Sequence, residues 1–143
     1  MTRIWLGLIV LLALAPAASA QSAADSAGIR QAALDYIDGW WAGDGDRMAR
    51  ALHPELAKRI QQSGDQGTFV RDMTASELVF GTRRGGGTNT PAGERRSDVR
   101  ILDIFQNTAS LRVDAGGWID YMHMVKRDGR WVILNVLWEV RRP

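Results

Sequence analysis

The chain has no cysteine in 143 residues. That excludes disulfide staples, thiolate zinc sites and cysteine nucleophiles, and leaves the fold to be held by its core. Histidine is nearly as scarce: His53 and His123 are the two present, too few for a histidine-rich metal centre. Lysine occurs only at Lys58 and Lys126, so the 18 basic residues are mostly arginine. The arginines are scattered, with short pairs at Arg83-Arg84, Arg95-Arg96 and Arg141-Arg142, and the formal net charge is +2. No basic stripe with interleaved aromatics forms, so a nucleic-acid partner is not expected. The run Gly85-Gly86-Gly87 is not followed by the Lys and Ser/Thr of a phosphate cradle, and reads as a loop. No metal site and no cofactor motif is read.

Long apolar runs are also missing, apart from Ile4 to Ala15, which is shorter than the roughly 20 residues a membrane-spanning helix needs. Arg3 precedes it and Ala18-Ser19-Ala20 follows, the pattern of a secretory signal peptide over residues 1–20, with cleavage expected after Ala20. The expectation is then a single domain over 21–143, periplasmic or secreted, with no membrane attachment after cleavage.

What is present is strong periodicity. Ile29, Ala32, Ala33, Tyr36, Ile37, Trp40 and Trp41 recur at helical spacing and predict an amphipathic helix, with Gln21 to Gly28 as a frayed lead-in. Gly43 suits the left-handed residue that ends a helix, and Asp44 suits the cap of a second, shorter one. Pro54 forces His53 out of helical geometry and stops it. Leu56 to Gln62 reads as a short strand and Gly64 to Gly67 as a turn. Thr74 and Glu77 have capping-box spacing, which starts a third helix at Ala75. From Arg95 onward the chain reads as strand: Asp98 to Phe105, Thr108 to Asp114, then a closing hairpin from Trp118 to Glu139 about Asp128-Gly129.

If Asp128 and Gly129 form a two-residue loop, the register follows and the closing hairpin divides into two faces. One face carries Ile119, Tyr121, His123, Val125, Leu134, Val136 and Trp138. It is almost wholly apolar and is expected to meet the core. The other carries Trp118, Asp120, Met122, Met124, Ile133, Asn135 and Leu137, a mixture that suggests a partner-bound surface. Helices segregated before an antiparallel meander predict an α+β fold, with three N-terminal helices packed on a curved antiparallel sheet.

His53-Pro54 after the second helix, Asp120-Tyr121-Met122-His123, and the run from Asp128-Gly129-Arg130-Trp131 to Asn135-Val136-Leu137-Trp138-Glu139 resemble the putative lumazine-binding family. That family belongs to the nuclear transport factor 2-like superfamily. The resemblance covers essentially the whole mature chain. It implies a cone-shaped α+β barrel with a pocket between sheet and helices, and a homodimer formed across the outer sheet face.

On this reading the chain is an exported binding protein whose pocket, between helix one and the curved sheet, holds a small apolar or flat aromatic molecule. The residues expected at the pocket are His53, Tyr121 and His123 as polar groups, with Tyr36, Trp40 and Trp138 as stacking surfaces. One alternative is an enzyme of isomerase, dehydratase or cyclase type with His123 or His53 as acid or base, because imidazole titrates near neutrality. Another is a dimeric interaction protein without a ligand. Asp120, on the mixed face, would need a polar partner there.

Overall fold

The computed structural model of the protein describes residues 17–142. The expected signal peptide lies mostly outside these residues. Among these residues three α-helices are formed: α1 (Ala17–Ala42), α2 (Gly45–Ala51) and α3 (Ala75–Arg83). They accompany six strands: β1 (Leu52–Gly64), β2 (Gly67–Thr74), β3 (Asp98–Phe105), β4 (Thr108–Asp114), β5 (Trp118–Arg127) and β6 (Arg130–Val140).

The apolar stripe on α1 does what its spacing dictates. Ile29, Ala33, Tyr36, Ile37 and Trp41 are all buried. Gly43, at φ 70°, takes the left-handed conformation that closes the helix. Asp44 then caps α2, its side chain accepting from the backbone N–H groups of Asp46 and Arg47. Thr74 and Glu77 form the full capping box at the start of α3. The expected frayed lead-in is instead helical. Its residues are rich in alanine, the strongest helix former. Asp25 anchors it to the sheet, accepting from Lys126 Nζ at 2.7 Å and Trp131 Nε1 at 3.0 Å.

The sheet order is β2-β1-β6-β5-β4-β3, and it is open at both ends. All neighbouring pairs are antiparallel except β1 with β6, which is parallel. The helices cover the concave face, with α1 lying against β6 and β3. The fold is thus the expected α+β cone, with one strand more than the sequence shows. In the unread strand, β2, every residue but Met73 is exposed, so it carries no burial alternation. The glycine run forms a series of turns held by Arg95, which donates to the carbonyls of Thr88 and Thr90.

The closing hairpin requires a correction. Pairing runs as expected from Arg127 with Arg130 to Val125 with Val132. A β-bulge follows: Met124 pairs with Ile133 and His123 with Asn135, so Leu134 is left over. Beyond it, Tyr121 faces Leu137 and Asp120 faces Trp138. One extra residue has carried Trp138 to the side of Asp120. That side is the core side: Asp120, Met122 and Met124 are buried, while Tyr121 and His123 are exposed. The expected assignment of faces is therefore reversed for β5. Both faces carry apolar residues, so apolar content alone did not distinguish them. The inner face takes the two methionines, whose flexible side chains fill space under the helices.

Candidate functional site

Strand alternation on β1 turns Leu56, Lys58 and Ile60 to the same buried side. Alternation on β5 does the same for Asp120 and Met122. Each strand therefore sends one charged side chain into an otherwise apolar stripe, and the sheet brings the two together. Lys58 Nζ donates to Asp120 Oδ1 at 2.5 Å and to the Tyr36 hydroxyl at 2.7 Å. The Tyr36 hydroxyl donates to Asp120 Oδ2 at 3.2 Å, and Trp118 Nε1 donates to the same oxygen at 2.9 Å. Both carboxylate oxygens are thus satisfied. Among the described residues, no buried side-chain nitrogen or oxygen lacks a partner.

The network stands at the wall of a cavity of about 320 Å³. Tyr36 and Trp40 come from α1, Trp118 from β5 and Trp138 from β6, with Met73 and Leu78 completing the apolar lining. Lys58 and Arg71 are its charged lining residues. Trp118 stands edge-on to Trp138, ring centres 6.4 Å apart, and leans on Trp41 at 5.1 Å. Lys58 Nζ lies 4.7 Å from the centre of the Trp138 ring, within cation–π range. The position of Trp40 depends on the glycine run: a Cβ on Gly86 would come within 2.3 Å of the indole, and one on Gly87 within 2.5 Å. Only residues without a side chain let that loop lie against the cavity wall.

Burial holds the Lys58 ammonium below its ordinary pKa, while the Asp120 carboxylate beside it pulls the other way. Tyr36 is pushed well above the ordinary phenol value, first by burial and then by the charge of Asp120. The phenol therefore remains a hydrogen-bonding hydroxyl at neutral pH. Lysine supplies three donors, and Asp120 and Tyr36 take two of them. A cavity of this size, apolar with few polar groups converging on it, has the character of a small-molecule site. Four other hollows among the described residues, of about 340, 330, 440 and 520 Å³, are lined by more polar groups.

Of the residues expected at a pocket, Tyr36, Trp40 and Trp138 line this cavity. Tyr121 and His123 do not: they lie on the opposite face of the sheet, as the reversal of faces requires. His123 borders the outer hollow with Asp103, Ser110 and Asn135. His53 lies at the start of β1, where its Nδ1 accepts the Glu55 backbone N–H at 3.1 Å, and it is not in the lining. Lys58, Arg71 and Trp118 were missed. A signal for Lys58 was present: it interrupts the alternation of Leu56 and Ile60 where an apolar residue would be expected.

Residues 24–139 match the family model described as putative lumazine-binding. The chain belongs to the putative lumazine-binding family. Solved structures agree on the fold. A nuclear transport factor 2-like protein of unknown function from Shewanella baltica superposes with a TM-score of 0.64 at 16% identity, covering 85% of this chain and 97% of that one. A similar protein from Silicibacter pomeroyi gives 0.61 at 15%, covering 88% and 100%. A type 2 hexachlorocyclohexane dehydrochlorinase gives 0.56 at 10%, covering 87% and 90%. At these identities the likeness is one of fold. No curated protein matches the chain in sequence. In this member of the putative lumazine-binding family, the cavity lies between helices and sheet.

Proposed function

We propose that the protein is an exported, periplasmic or secreted, small-molecule-binding protein that holds a flat, largely apolar ligand in the cavity walled by Tyr36, Trp40, Trp118 and Trp138. The observation that carries this reading is the combination of those aromatic walls with the Lys58–Asp120 pair beside them. A buried ion pair is poor evidence of stabilisation, since well-packed apolar residues serve as well. A lysine fixed by two partners with a donor to spare can orient a ligand. The family name points to lumazine, a flat heteroaromatic with carbonyl oxygens, as a first ligand to try. Affinity would come from apolar burial and stacking, and orientation from Lys58 and Tyr36.

The acid/base alternative built on His123 or His53 draws no support from this cavity, because neither residue lines it. For the outer face of the sheet we propose a second copy of the chain as occupant. Tyr121 and Leu137 lie opposite each other there and are about half exposed.

Two measurements test the binding reading. Native mass spectrometry of protein purified from its own source should show retained mass. Titration with lumazine should change the tryptophan emission. Protein with no retained ligand, and emission indifferent to lumazine and to naphthalene-based probes alike, would overturn it.

A further inference from the structure

Resting on the binding reading above, we infer that the cavity takes its ligand only in an uncharged form. An acid must gain a proton to enter it, and an amine must lose one.

Almost no nitrogen or oxygen faces the hollow, and no carboxylate is among its lining residues. The titratable groups around it come from five elements and answer one another. Asp120 on β5 neutralises Lys58 on β1, and Tyr36 on α1 and Trp118 on β5 complete the bonds to that carboxylate. Arg71 on β2 is exposed to solvent, with the charge of Glu77 on α3 beside it. The cavity therefore offers a ligand no net charge of either sign.

An anion is refused at Lys58. An acid bonding there would stand beside Asp120, and where two carboxylates share one site the pKa of one is strongly raised. The acid therefore enters protonated. A cation is refused for a different reason. Rings such as Tyr36, Trp40, Trp118 and Trp138 could cage an ammonium group by cation–π attraction. Here a cation is already in place: Lys58 Nζ lies 4.7 Å from the centre of the Trp138 ring and 5.5 Å from that of Tyr36. A second one would be repelled by the first, with no free carboxylate in the lining to offset it. A neutral ring meets neither obstacle and gains the contact area of the aromatic walls.

The test is calorimetric titration with three probes of one shape: 2-naphthamide, 2-naphthoate and 2-naphthylmethylamine. Burial shifts ionisable groups by up to about 3–5 units toward their neutral forms. A shift of about 2 units makes the charged form roughly a hundredfold weaker binder. At pH 7 the amide should therefore bind tightest, with the acid and the amine about a hundredfold weaker or undetectable. Acid binding should strengthen from pH 7 to 5 and amine binding from pH 7 to 9, following the neutral fraction of each, while amide binding stays level. Repeating the titrations in buffers of different ionisation enthalpy counts protons. The acid should take up about one on binding and the amine should release about one. Acid or amine binding as tight as the amide at pH 7, or binding without proton exchange, overturns the inference while the binding reading stands. No binding of any probe overturns both.

Discussion

Lys58 Nζ lies 2.5 Å from Asp120 Oδ1, 62 positions away in the chain, and the two side chains are 6% and 0% exposed. Replacing the lysine alone leaves a carboxylate in a dry interior. Lys58→Met should therefore cost about 3–5 kcal/mol of stability. Adding Asp120→Asn removes the charge yet keeps an acceptor for Tyr36 and Trp118, and should recover most of that loss. Denaturant unfolding of the single and double variants measures both effects. If the single variant were as stable as the double, the pair would have no structural role.

Asp25 gives the pH dependence. Hydrogen bonds from Lys126 and Trp131 hold its carboxyl below the ordinary value of 3.8, against the opposing effect of burial. The unfolded chain binds the proton more readily than the folded one. The stabilisation is thus present in full above the unfolded pKa and is lost as pH falls through the lower, folded one. Asp25→Asn should melt below the parent protein at neutral pH, and the gap should close on acidification below about pH 4. Thermal melts across that range decide the matter; a constant gap would count against the assigned cause.

The outer sheet face yields a prediction about assembly. Tyr121 and Leu137 are 52% and 60% exposed there. Light scattering coupled to gel filtration should give twice the chain mass for the parent protein. Leu137→Asp should give a single chain with an unchanged circular dichroism spectrum. A monomeric parent would remove the proposed pairing.

Local chemistry was legible in the sequence. The Asp128-Gly129 turn has φ of 50° and 77°, as a two-residue hairpin loop demands. The capping box at Thr74 and Glu77 and the α1 stripe ending at Gly43 follow equally from neighbours a few positions apart. The family motifs are short runs of the same kind, and they led to the fold. Tyr36, Trp40 and Trp138 could be named as cavity residues because helical and strand spacing marks large apolar side chains.

Tertiary structure decided the rest, because those features have no local signature. Strand alternation separates two faces without saying which is covered, and one unpaired residue, Leu134, moves Trp138 from one side to the other. Strand β2 is exposed nearly throughout, so its place at the sheet edge comes from pairing with β1. The sequence by itself determined the turns, caps and apolar stripes, which depend on residues close in the chain. Only the packed sheet decided that Lys58 should meet Asp120 and stand near Arg71 at the cavity, because those contacts join strands distant in sequence.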